Sequence, residues 1–290
     1  MGEFRDKLIK MMDVVQDLPT LPQISFELER LLHSSAAGAE DVALIIERDL
    51  SLSATLLKTA NSAFFLTSSS GGIDTVRNAV ARLGFREVGD IVRTVEIIRS
   101  FKGKGPHLDH EHFWKHNLMV GTTARFIHQD AKVPNAFSEE EVYMPGLLHD
   151  IGKLILDQYF SEDFIQVQQE AADRGIPLET AEQELLGIDH GEVGGIFLQH
   201  WDLPEAIIES VKWHHRPDQC PKEFRVLATQ VWIANLLVQS SEDSQEAVEG
   251  MASGYEGVWQ AMGIPVEAVP GILKKVSSDF RGSAALLGLL

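Results

Sequence analysis

Apolar residues recur at three- and four-residue spacing along almost the whole chain, and no convincing run of period-two alternation interrupts them. A chain patterned this way buries its stripes by packing helix on helix, so the sequence predicts an all-α helical bundle. Helices are expected at 4–16, 23–33, from 39, at 51–60, over Val76–Leu83 with Asp74 as cap and Gly84 as stop, and at 86–101. A second series is expected at 110–129, 139–159, 161–174, 178–187, 190–200, 204–214, 222–240, 244–262 and 265–279. Leu18-Pro19-Thr20-Leu21-Pro22 ends the first helix, because proline cannot continue it and restricts the residue before it. Ser68–Gly72 reads as a loop. Lys102-Gly103-Lys104-Gly105-Pro106 is the clearest cluster of breakers, and it divides the chain into a smaller N-terminal helical half at 1–104 and a second half at 105–290.

One apolar stretch, Tyr143–Leu156, carries His149-Asp150 in its middle, with Gly152 and Lys153 just after. Burying an imidazole and a carboxylate among Leu and Ile costs several kcal/mol unless they are paired or bound to a metal. Neighbours on a helix are offset by about 100°, so both groups can reach one ion at the helix wall. A core histidine satisfied by its Asp neighbour or by a backbone carbonyl is the alternative.

Other histidines recur around this pair. His112 and His116 are four apart and share a helical face. His190 opens a helix in Asp189-His190-Gly191-Glu192-Val193-Gly194, His214-His215 closes one after Trp213, and Asn235 follows in Trp232-Ile233-Ala234-Asn235. Facing helices that project such side chains inward are how bundle cores build metal sites. Imidazole with carboxylate suits iron, zinc, manganese or nickel. Singly, each histidine has an ordinary reading. His112 lies in a polar segment, His214-His215 favours the negative end of a helix dipole, and His33, His128 and His200 read as surface or satisfied core residues. The joint arrangement is what points to a metal.

Composition narrows the function. The 290 residues suffice for two ordinary domains or one large one, and 44% are hydrophobic, enough for a sizeable core. A formal net charge of −18 argues against broad contact with a nucleic-acid backbone or an anionic membrane surface. Cys220 is the only cysteine, which excludes an intrachain disulfide and a thiolate-rich zinc or iron–sulfur site. Any metal ligands are therefore His and carboxylate. With no apolar run of about 18 residues and no signal-peptide pattern, a cytoplasmic location is expected.

These motifs carry a resemblance. The second half resembles the HD superfamily of metal-dependent phosphohydrolases, and the chain as a whole more closely resembles the HDOD group, the HD-related output domains of bacterial signalling proteins. The matching pieces run in order from Leu18–Pro22 and Ala60-Asn61-Ser62 through Ile73–Gly84 and Phe113-Trp114-Lys115-His116. They continue with Gly146–Lys153, Asp189–Gly194, Trp201–Pro204 and His214-His215. The resemblance implies an all-helical fold with an HD-like second half packed on the N-terminal half. It also implies a signal-transduction output or scaffold module, usually without catalysis, whose partners are signalling proteins.

Among catalytic relatives the chain is similar to cyclic-di-GMP phosphodiesterases of the HD-GYP type. By that similarity His116, His149, Asp150, His190, His214 and His215 stand at metal-ligand positions. His112 stands where the relatives often carry Glu, Asn235 where they carry Asp, and Lys153 at their active-site lysine. Arg216-Pro217-Asp218-Gln219-Cys220-Pro221 replaces their Gly-Tyr-Pro loop. The expectation is a non-catalytic module that retains one or two divalent ions, iron or manganese favoured over zinc or nickel.

The alternative is a phosphohydrolase acting on a nucleotide or cyclic dinucleotide. There Asp150 and Lys153 would be catalytic, Lys153 steadying the phosphate and His190 or His215 shuttling a proton. A nucleotide-binding sensor without turnover is a weaker third reading. Arg77, Arg82, Arg86 and Arg93 either hold an anionic ligand or acidic partner, or simply neutralise nearby acids. The Asn61-Ser62, Phe64-Phe65 segment reads as packing, and the apolar tail at 281–290 could serve a homodimer. With no receiver, sensor or membrane segment fused, the input is expected from another protein or a small ligand.

Overall fold

The computed structural model describes residues 3–14, 23–32, 38–61, 73–101, 105–132 and 137–276. The proline breaker at 18–22, His33, the serine–glycine loop, Phe64-Phe65 and the tail at 281–290 lie outside the described residues. Among the described residues the regular structure is helical throughout, with no strand. The first six helices are α1 (Glu3–Val14), α2 (Gln23–Leu32), α3 (Ala39–Ile46), α4 (Leu50–Ala60), α5 (Val76–Leu83) and α6 (Phe85–Phe101). Then come α7 (His110–Asp130), α8 (Glu139–Leu148), α9 (Ile151–Tyr159), α10 (Ser161–Arg174), α11 (Leu178–Leu185) and α12 (His190–His200). The last are α13 (Glu205–Lys212), α14 (Arg225–Asp243), α15 (Gln245–Gly254), α16 (Glu256–Ala261) and α17 (269–276). The all-α bundle read from the periodicity is the observed fold.

The helices divide into two compact units. Helices α2–α6 form one, and α7–α17 together with α1 form the other. The sequence places α1 with the N-terminal half; its contacts place it with the second. Leu8 is fully buried, Phe4 stacks against Phe160 with ring centroids 4.9 Å apart, and Lys7 Nζ pairs with Asp163 at 3.1 Å. An amphipathic stripe specifies that a helix is buried on one side, not by which partner.

In the first unit the stripes of α3, α4 and α6 supply Val42, Ile46, Leu52, Leu56, Val88, Ile91, Val95 and Ile98 to the core. Asp49 caps α4 by accepting from the backbone N–H groups of Ser51 and Leu52, and it also takes a hydrogen bond from Arg99 at 2.8 Å. Asn61 closes the same helix and spans to Ile73, accepting from its N–H and donating to its C=O, each at 2.7 Å. Thr75, not Asp74, caps α5. Of the arginine group, Arg77 pairs with Glu40 and Arg93 with Asp90.

In the second unit α7 is the central helix, buried on most sides through Phe113, Trp114, Leu118, Val120, Ala124 and Ile127, and it packs against α8 and α14. Its entry is fixed by Asp157, whose buried carboxylate accepts from the N–H groups of His107 and Leu108. Gly105 makes this approach at φ +95°, where a side chain would collide with that carboxylate.

Two helices expected as single runs are each broken. The run at 244–262 splits into α15 and α16 at Tyr255. The run at 139–159 splits at His149-Asp150, which form a turn between α8 and α9. Apolar residues continue in phase across that turn, so periodicity alone conceals it.

Candidate metal centre

The break between α8 and α9 places the His-Asp pair. His149 is the last residue of α8 in helical geometry, and Asp150 leaves it at φ −95°, ψ 5°. Asp150 occupies the cap position of α9, yet its side chain caps nothing. Its carboxylate instead turns inward, where it is 3% exposed, while His149 is completely buried.

Four further elements meet it there. Helix α12 begins at His190, capped by Asp189, and its first turn lies against α9 because Gly152 has no side chain; a Cβ there would run into the His190 carbonyl oxygen. The turn after α13 delivers His214 and His215. Helix α7 brings His116 and α14 brings Asn235, whose Oδ1 is 3.0 Å from His116 Nε2.

The resulting geometry is a chain of imidazoles around one carboxylate. Asp150 Oδ1 lies 3.1 Å from His190 Nε2 and 3.9 Å from His214 Nε2, and Oδ2 lies 3.5 Å from His149 Nε2. His215 Nε2 faces His190 Nε2 at 2.8 Å. Lys153 Nζ donates to Asp150 Oδ2 at 2.6 Å from the next turn of α9. Two sets of potential ligands result, His190–His214–His215 and His116–His149–Asp150, each with its donor atoms within 4.8 Å of one another.

The outer nitrogens of three of these rings are tied back to the protein. His149 Nδ1 donates to the Gly146 carbonyl at 2.8 Å, His214 Nδ1 to the Val211 carbonyl at 2.6 Å, and His190 Nδ1 to Glu182 at 2.7 Å. At His149 and His214 the bond fixes the tautomer that leaves Nε2 facing inward with its lone pair, the arrangement typical of metal-bound histidines, and His190 would take the same form once a metal displaced its Nε2 proton. His149 Nε2, His214 Nε2 and Asp150 Oδ1 are buried with no hydrogen-bond partner. An orphaned buried polar group costs about 1–3 kcal/mol, so three in one place are expensive for a purely structural cluster. Divalent ions held by the two sets would satisfy all three, and an N/O donor set accepts iron, manganese, zinc or nickel. The residues fit a metal.

The electrostatics hold four of the five imidazoles neutral and leave His190 charged in the absence of metal. Burial lowers the pKa of His149 to about 3, and burial with neighbouring histidines holds His214 and His215 well below the usual value. His116 is lowered by burial as well. Burial also opposes charge on His190, but the Glu182 and Asp150 carboxylates together outweigh it and lift that pKa to about 9. For Asp150, burial favours the neutral acid, yet the adjacent His149 and Lys153 hold the carboxyl well below its ordinary range.

The structure therefore brings together His116, His149, Asp150, Lys153, His190, His214, His215 and Asn235. It does not bring in His112. That residue shares a helical face with His116 but sits in the exposed first turn of α7, where its backbone N–H bonds to the capping Asp109. A residue absent from the sequence reading is present instead. Glu182 is fully buried and its Oε2 accepts from both the backbone N–H and Nδ1 of His190. Its only sequence signal is a carboxylate among Glu179, Glu182 and Glu184, of which the others face solvent to various degrees.

Comparison with known proteins follows the same outline. The HDOD domain family model matches residues 18–217. A solved HDOD domain protein of unknown function from Geobacter sulfurreducens aligns with a TM-score of 0.80 at 24% identity, covering 99% of each chain. A solved chain from Marinobacter aquaeolei, described as a candidate signal transduction protein, aligns at 0.77 and 22% identity over 98% of this chain and 65% of its own. An uncharacterised protein of Treponema pallidum is 26% identical over 227 residues, 78% of this chain, which spans 43% of that protein's length.

Proposed function

The chain belongs to the HDOD family, and on that premise we propose that it is a signal-transduction output module whose HD-like part holds one or two resident divalent ions, iron or manganese before zinc or nickel. The observation that carries this reading is the set of three tied-back imidazoles whose Nε2 atoms face Asp150, those of His149 and His214 without a hydrogen-bond partner. A module that had abandoned its metal would gain stability by replacing such groups with apolar residues. His190, His214 and His215 would hold one ion, and His116, His149 and Asn235 the other, with Asp150 between them.

A second reading, a metal-dependent phosphohydrolase, is favoured by Lys153. Its side chain is 20% exposed, and its ammonium reaches the buried Asp150 carboxylate at 2.6 Å. A bound ion supplies a water with pKa near 7 and polarises a phosphoryl oxygen. Lys153 would hold a phosphoryl oxygen at the entrance. His215, 17% exposed and hydrogen-bonded to His190, would move a proton between solvent and the interior. Asn235 in place of a carboxylate, and the Arg216–Pro221 segment in place of the Gly-Tyr-Pro loop, count against turnover of a cyclic dinucleotide.

The two readings separate on one comparison. Protein loaded with iron or manganese is assayed on phosphodiesters, and binding of its signalling partner is measured alongside. In the module reading, His149→Ala and Asp150→Ala remove metal but leave partner binding largely intact, and wild type shows no hydrolysis above its variants. Hydrolysis abolished by both substitutions in folded protein would overturn the non-catalytic reading in favour of the enzyme.

A further inference from the structure

The five clustered imidazoles are not equally supported. His149, His190 and His214 each donate Nδ1–H to a carbonyl or carboxylate at 2.6–2.8 Å. His116 and His215 have no such bond. Each has instead a carboxylate oxygen 3.9 Å from Nδ1, Glu242 for His116 and Glu179 for His215.

The His116 side also lacks charge. Asp150 is the one carboxylate among its candidate ligands, and that charge is already offset by Lys153 at 2.6 Å. Asn235 is neutral. The His215 side has Glu182 next to it, fully buried and bonded to His190. A dication bound by His116, His149 and Asp150 would therefore be the less compensated of the two.

Glu242 stands in the right place to correct both deficits. It follows Asn235 by seven residues on α14, two turns on, which returns it to within about 20° of the same helix face. Side chains on a helix lean toward its N-terminus, so the Glu242 carboxylate reaches back toward the Asn235 level. There it meets the outer edge of the ring whose inner edge meets Asn235. At 37% exposure the side chain has room to move the remaining distance into hydrogen-bond range.

We propose that Glu242 is a positioning residue for the His116 half of the metal centre. When a metal replaces the hydrogen bond that His116 Nε2 donates to Asn235 Oδ1 at 3.0 Å, this carboxylate accepts the Nδ1 proton of His116, so holding the Nε2 lone pair on the ion, and supplies the negative charge that Asn235 does not. This rests on the metal-binding reading above.

The test is titration of metal-free full-length protein with Co(II) alone, followed by visible absorption and by nitrogen-15 NMR of the histidine rings. Wild type, Glu242→Gln and Glu242→Ala are compared, with Glu249→Gln as an exposed control on α15. The expected result is loss of affinity for one ion by about 10–100-fold in the alanine variant, with glutamine intermediate. The Co(II) spectrum changes, the His116 ring loses its Nδ1–H tautomer, and the melting temperature of the metal-free protein stays at the wild-type value. Binding within about twofold of wild type in both variants overturns the proposal alone. An equal loss of metal-free stability also overturns it, by making Glu242 merely structural. Failure of wild type to bind any Co(II) overturns the proposal together with the reading beneath it.

Discussion

Gly152 and His190 are in backbone contact: the α-carbon of one lies against the carbonyl of the other, with no space for a Cβ between them. This contact joins the first turn of α9 to the first turn of α12, and so sets the separation of Asp150 from His190. Adding one methyl group has to push the two helices apart. Gly152→Ala is expected to lower stability by about 1–3 kcal/mol, the usual cost of overpacking, and to reduce metal uptake at the same time. Denaturant unfolding and metal analysis of the same sample check both effects. A variant destabilised but fully loaded would show that the helix spacing does not control the site.

Glu182 holds His190 by two hydrogen bonds from one oxygen. Glu182→Gln preserves the shape and removes the charge. It should weaken metal binding by about 10–100-fold, as loss of a carboxylate behind a ligating histidine generally does. Competition titration with Mn(II) measures this, and unchanged affinity would reduce Glu182 to a packing residue.

His112 and His116 separate spacing from position. His112→Ala should leave metal content at the wild-type level, because its side chain lies in solvent in the first turn of α7. His116→Ala should lose one ion and keep the fold. Equal losses in the two variants would place His112 in the centre after all.

Asp49 gives the first unit a defined pH dependence. Burial tends to raise its pKa, but the hydrogen bond from Arg99, that from the Leu52 N–H and the charge of Arg99 lower it below 3.8. A carboxyl with a lowered folded pKa stabilises above its unfolded value and loses that contribution as pH falls through the folded one. Asp49→Ala is therefore expected to cost about 1–2 kcal/mol at neutral pH, the scale of a lost helix cap. The gap to wild type should narrow steadily below about pH 4. Urea midpoints of the two proteins across that range test the sign, and a gap that widens on acidification would contradict it.

What the sequence made legible, and what it hid, follows from the reach of its signals. Leu147, Leu148, Ile151, Leu154 and Ile155 declare buried helix by local spacing, and His149-Asp150 stands out because it interrupts them with polar groups. The same unbroken spacing hides the turn that aims the pair inward. His112 illustrates the limit of an i, i+4 rule, which assigns a shared face but not which turns of that face are covered. Glu182 and Glu242 were illegible because a glutamate in an acidic chain carries no mark of burial. Their roles come from what folds against them, His190 in one case and His116 in the other. The placement of α1 is hidden for the same reason, since Leu8 would look identical in either unit.

The central claim is that the histidine cluster holds a metal. It is tested most directly by elemental analysis of protein purified without chelator and without a histidine tag. One or two equivalents of iron, manganese, zinc or nickel, retained through dialysis and lost in His149→Ala, is the predicted result. Metal-free protein that stays metal-free after reconstitution with each of the four ions would contradict it.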